Sequence, residues 1–142
     1  MKPLVVDASV AVKWFFRSRN DETDAAAALD ILRAVAEGQV ALIQPPHFVA
    51  EVAAVLAREA PQTAATALRD LLDIEMAVAD EPNIYRRAMA LAIRFRHHVF
   101  DTLYHAVALE TPGAMLVTAD ARYLRNARAA GRIVPLAGLD LS

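Results

Sequence analysis

The chain has 142 residues, a length that fits one compact domain spanning 1–142 and large enough to bury a core without covalent staples. It contains no cysteine, which excludes disulfides, thiolate metal sites and cysteine nucleophiles and fits a reducing, cytoplasmic setting. The formal net charge of −2 and a pI near 6.1 exclude a surface that is basic all over, so any contact with nucleic acid must be local.

In chain order, Leu4-Val5-Val6 is a short apolar run that ends at Asp7. It is too short for a signal peptide or a membrane span, and it reads as a buried strand. A helical stretch is expected over Ser9–Phe16, then a polar loop over Arg17–Asp24. Ala25, Leu29, Leu32 and Ala36 return at helical spacing, with Gly38 as the stop. Val40–Ile43 reads as a second buried strand. Pro45-Pro46 closes it and opens a helix carrying Phe48, Val52, Val55 and Leu56. Pro61 is expected to start a further helix through Leu72, and Ile74–Val78 to form a third strand. Pro82 suits a helical first turn, and Ile84, Ala88, Leu91, Ala92 and Phe95 then share one face. Asp101 is expected to open a helix through Leu109. Met115–Val117 reads as a strand, Asp120 opens a helix that Gly131 ends, and Ile133-Val134 forms a last strand. Continuous apolar strands alternating with helices predict an α/β fold, with a central parallel sheet of four to five strands covered on both faces.

Four acids stand out. Asp7, Asp101 and Asp120 each lie where a helix is expected to begin, and Asp7 and Asp120 follow strands. In open α/β sheets, ligands bind outside the carboxyl ends of the strands. Aspartate is also a favoured helix N-cap, so each of the three could serve only as a cap, and the two roles are compatible. Glu51 differs, because it sits among apolar neighbours inside a helix and no cap explains it. A charge there needs a metal, a partner such as Arg58, or a narrow solvent face. Four convergent carboxylates would repel one another, and a hard divalent cation with oxygen ligands, Mg²⁺ or Mn²⁺, relieves that repulsion.

These segments resemble a known family. Val-Val-Asp-Ala-Ser-Val-Ala-Val-Lys-Trp (5–14) is similar to the opening of PIN-domain toxins of the VapC-like group. Pro-Pro-His-Phe-Val-Ala-Glu-Val-Ala-Ala-Val-Leu (45–56) resembles the segment that carries that family's glutamate. Phe-Asp-Thr-Leu-Tyr-His-Ala-Val-Ala-Leu (100–109) and Leu-Val-Thr-Ala-Asp-Ala-Arg-Tyr-Leu (116–124) resemble its third and fourth acidic motifs. The resemblance implies a three-layer α/β/α sandwich and a Mg²⁺- or Mn²⁺-dependent endoribonuclease, the toxin of a toxin–antitoxin pair. It makes Asp7, Glu51, Asp101 and Asp120 the metal-binding catalytic acids, with Ser9 and Thr118 as supporting hydroxyls. It also implies a homodimer inhibited by a cognate antitoxin, an interface that Trp14, Phe15 and Phe16 would suit if they are not core. Arg96, His105, Arg122 and Arg125 are candidates for RNA contact. His97 and His98 read either as phosphate contacts or as a solvated turn.

Two other acid-based readings fail on chemistry. A phosphoacceptor receiver would need paired acids after the first strand and a late lysine, but Ala8-Ser9 follow Asp7 and no lysine follows Lys13. A haloacid-dehalogenase-type phosphatase would need aspartate where Ser9 stands. A catalytically inactive PIN fold that only docks RNA or a protein remains as the non-enzymatic alternative.

Overall fold

The computed structural model describes residues 1–16 and 24–142. Five strands form one fully parallel sheet in the order β3-β2-β1-β4-β5. They are β1 (Lys2–Val6), β2 (Val40–Gln44), β3 (Met76–Val78), β4 (Met115–Thr118) and β5 (Ile133–Pro135). Seven α-helices among the described residues connect them: α1 (Ala8–Ala11), α2 (Ala25–Ala36), α3 (Phe48–Glu59), α4 (Ala64–Asp73), α5 (Pro82–Phe95), α6 (Val99–Glu110) and α7 (Ala121–Ala127). Successive side chains on a strand point to opposite faces. Leu4, Val5 and Val6 are all fully buried, so helices cover the sheet on both sides and the fold is a three-layer α/β/α sandwich.

β1 is the central strand. Val5 pairs with Leu116 and Val6 with Val117 of β4, and the Asp7 N–H continues that ladder to the Val117 carbonyl at 3.3 Å. On its other side, Leu4 pairs with Leu42 of β2. Beyond that pair a side chain replaces the ladder. Gln44 is completely buried; its Nε2 donates to the Val6 carbonyl (2.7 Å) and its Oε1 accepts from the Val6 N–H (2.9 Å). The primary amide thus does the work of a strand backbone at the point where β1 and β2 separate, one residue before Asp7. Reading β2 as ending at Ile43 left this residue out.

Several boundaries differ from the sequence reading, each for a local reason. The helix expected over Ser9–Phe16 is α1 followed by a 3₁₀ turn over Val12–Trp14. Branched Val10 and Val12 and three aromatics in a row are poor helix formers, and the Trp14 indole N–H leaves the helix to bond the Ala28 carbonyl at 2.9 Å. Trp14 and Phe16 are buried and Phe15 is half-buried, so these aromatics pack inward and do not form an outer face. Pro61 does not start α4. The chain turns there, with Thr63 N–H on the Ala60 carbonyl, and the helix begins at Ala64. The third strand is shorter than expected, Met76–Val78. The helix after Asp120 ends as a 3₁₀ turn over Arg128–Ala130, and Gly131 follows with φ of 82°, a conformation that favours glycine. Arg17–Thr23 of the expected polar loop lie outside the described residues. No described helix is long and apolar enough to cross a membrane.

Candidate active site

The carboxyl ends of β1 and β4 lie side by side, and the helices that follow them place Asp7 and Asp120 at one mouth of the sheet. The first turns of α3 and α6 bring Glu51 and Asp101 to the same place. All four acids line one cleft of about 250 Å³, together with Ser9, Tyr104 and Tyr123. Among the described residues, no Lys, Arg or His lines it.

Asp7 is the best-anchored of the four. Ser9 Oγ donates to one of its carboxylate oxygens and Thr118 Oγ1 to the other. Each hydroxyl is itself tied to the start of the next loop, Ser9 accepting from Ala119 N–H and Thr118 from Asp120 N–H, both at 3.0 Å. The two supporting hydroxyls therefore clamp β1 to β4 and hold Asp7. Asp7 occupies the cap position of α1, but both of its carboxylate oxygens are taken up by the Ser9 and Thr118 hydroxyls rather than by a well-formed capping bond. Burial pushes its carboxyl up to about 6, against the opposing pull of the two hydroxyls, and the charge of Asp120 adds to the rise.

Asp120 does both things a strand-end aspartate can do. Its Oδ1 caps α7 by accepting from Tyr123 N–H at 3.0 Å, and it faces the cleft. Asp101 does not open its helix. α6 starts at Val99 from His98, and Asp101 falls in the first turn, where a negative charge meets the positive end of the helix dipole. Glu51 also sits in a first turn, that of α3. The Tyr104 hydroxyl donates to Glu51 Oε1 at 2.5 Å, so tyrosine, not Arg58, is its partner. Burial and the adjacent Glu51 carboxylate hold the Tyr104 phenol far above its ordinary range, so it remains a donor at every physiological pH. Tyr104 was not singled out from sequence. Its place one helical turn after Asp101 was the available signal.

His105 does not reach the cleft. It is fully buried, with Nε2 donating to the Gly131 carbonyl (2.7 Å) and Nδ1 accepting from the Tyr123 hydroxyl (2.8 Å). Burial lowers its pKa, so the ring is a neutral structural link. Arg96, Arg122 and Arg125 are exposed, and none lines the cleft. His97 is not a solvated turn. Its side chain is only 8% exposed, packs on the Tyr123 ring, lies 3.0 Å from Asn126 and stands 3.9 Å from Asp101.

Oxygen donors, a half-buried carboxylate with a raised pKa and, among the described residues, no lining cation form a donor set that suits a hard divalent ion. Among the described residues, no three of these side chains converge on one point as a finished ligand set.

Comparison with known proteins bears on the whole arrangement. No curated protein matches the chain significantly. Similar solved structures include Mycobacterium tuberculosis VapC20, described as a Sarcin-Ricin loop cleaving toxin. It is 18% identical, with a TM-score of 0.64 over 92% of this chain and 95% of that one. PAE2754 from Pyrobaculum aerophilum is 21% identical, with a TM-score of 0.64 over 96% of this chain and 90% of that one. At such identities the likeness speaks for the fold. The family model for the PIN domain matches positions 4–129, a span that contains all four acids and both hydroxyls. PIN domains are generally nucleases, and with its sheet order, its acid-lined cleft and this match, the chain belongs to the PIN-domain family.

Proposed function

We propose that this protein is a metal-dependent endoribonuclease whose catalytic acids are Asp7, Glu51, Asp101 and Asp120. The observation that carries the reading is that four carboxylates line one cleft with no cation among its described lining residues. Mg²⁺ or Mn²⁺ held by these carboxylates would supply the charge that activates water and offsets charge on the phosphoryl oxygens.

The chain's own residues prepare the site. Ser9 and Thr118 fix both oxygens of Asp7, and Tyr104 fixes one oxygen of Glu51. The Tyr123 N–H fixes one oxygen of Asp120. Among the described residues, the second oxygens of Glu51 and Asp120 keep no hydrogen bond and are available to a ligand. Asp101 keeps its side chain 41% exposed, with His97 Nδ1 3.9 Å away.

RNA as substrate and the toxin role both draw support from the likeness to a toxin described as cleaving the Sarcin-Ricin loop. We extend the reading to a homodimer and a cognate antitoxin partner. Tyr85, Met89 and Ile93 of α5 repeat at four-residue spacing and are exposed, which supplies the apolar face that Trp14 and Phe16 do not. An inactive docking module is disfavoured by the intact set of four acids. Cleavage of a mixed RNA pool with Mg²⁺ or Mn²⁺, and none in EDTA or with Asp101→Asn, is the expected result. Cleavage by Asp101→Asn at the wild-type rate would remove the assignment.

A further inference from the structure

We propose that Phe100 is a stacking platform for one unpaired nucleobase of the substrate strand, next to the phosphate that the acids address; this rests on the nuclease reading above. Phe100 is 63% exposed and immediately precedes Asp101 in the first turn of α6. Exposure of a large aromatic ring at that place contributes nothing to folding. The ring is nonetheless held. The Phe100 backbone carbonyl accepts from His47 Nε2 at 2.7 Å, and the two rings pack with centroids 5.6 Å apart. The His47 imidazole packs in turn against the Tyr104 ring, tilted by 48° with centroids 4.7 Å apart, and the Tyr104 hydroxyl is bonded to Glu51. An aromatic ladder thus runs from the surface to a catalytic carboxylate, and its outermost rung is open.

The surroundings favour nucleic acid over a protein partner. Of the other exposed large apolar side chains among the described residues, Met1 precedes β1, Leu72 is on α4, Val78 on β3 and Tyr85 and Met89 on α5, while Ile93 in the last turn of α5 leads into the same turn as Phe100. Phe100 follows, within six positions of the chain, exposed Arg94, Arg96 and His98 at the end of α5 and the turn into α6. Two exposed arginines in the segment that leads into an exposed ring suit a phosphate backbone with one base laid on the ring face. Stacking of this kind tolerates any base, because every base presents a π-face. It requires that base to be unpaired. The platform therefore selects single-stranded segments and not a base identity.

The test is binding of a fluorescent 12-nucleotide oligouridylate, and of the same RNA annealed to its complement, by the full chain. A Glu51→Gln background with Mn²⁺ present reads binding apart from cleavage. Phe100→Ala should weaken single-strand binding by about tenfold or more, from the usual strength of base–aromatic stacking. Phe100→Trp should restore it, Phe100→Leu should not, and duplex binding and the unfolding midpoint should stay unchanged. Single-strand binding equal to wild type in Phe100→Ala would overturn the platform. So would equal rescue by leucine, or a variant that loses only self-association. If the oligonucleotide does not bind even with Phe100 present, the platform falls, while the cleavage assay still reports independently on the nuclease reading.

Discussion

Replacing Asp7 by asparagine should stabilise the metal-free protein above pH 6. Burial raises the Asp7 carboxyl from 3.8 to about 6 in the folded chain. Between these values the folded protein retains a proton that the unfolded chain has released. Stability from this group is full below about pH 4 and is lost as pH rises through about 6. A shift of about two units corresponds to roughly 3 kcal/mol. Asparagine keeps one oxygen for a hydroxyl, and the second hydroxyl can turn to accept from its amide, but both bonds weaken, so a net gain of about 1–2 kcal/mol is expected. For a chain of this length that raises the unfolding midpoint by about 3–7 °C. The assay is thermal unfolding in EDTA at pH 5 and pH 8 for both proteins. The difference between them isolates Asp7 from other titrating groups such as His105, whose lowered pKa makes acid destabilising instead. A variant less stable than wild type by the same amount at both pH values would refute the argument, because Asp7 would then be a well-solvated ion.

Tyr104→Phe should unfold normally and lower kcat for RNA cleavage by about tenfold, since Glu51 loses the donor that orients it; an unchanged kcat would show that Glu51 needs no such support. Gln44→Leu should destabilise by roughly 2–4 kcal/mol in urea unfolding, because the buried N–H and carbonyl of Val6 both lose their partner. Near-neutral behaviour would mean that β1 and β2 can close the gap themselves. His105→Leu should cost about 2–3 kcal/mol by leaving the Tyr123 hydroxyl and the Gly131 carbonyl unbonded, with cleavage retained in the folded fraction. Met89→Glu should convert a dimer to a monomer in light scattering if the exposed stripe of α5 is the self-association face. An unchanged mass would place the interface elsewhere.

The strands were plain in the sequence because a parallel sheet buried on both faces leaves uninterrupted apolar runs, such as Leu4–Val6 and Met115–Val117. Asp7 and Asp120 could be placed because they end those runs. What stayed hidden depends on contacts between distant segments. Gln44 looks like an ordinary strand-end polar residue until β1 and β2 separate beside it. The Tyr104–Glu51 bond joins residues 53 positions apart. His105 could equally face the site or be a half-buried helix residue, because spacing from Asp101 gives a helical face but not which face another element covers; the structure buries it fully. Asp101 looked like a cap for a related reason. The α5–α6 turn tightens through left-handed Arg96, and the helix starts two residues earlier than the aspartate suggests.

Calorimetric titration of Mn²⁺ into the metal-stripped protein at pH 8, for wild type and for Asp7→Asn, Glu51→Gln, Asp101→Asn and Asp120→Asn, tests the central claim most directly. The account predicts saturable binding by wild type and a loss of at least tenfold in affinity in the aspartate variants, each remaining folded. Undiminished affinity in all four variants would contradict it, because the cation would then bind somewhere other than the cleft that these acids line.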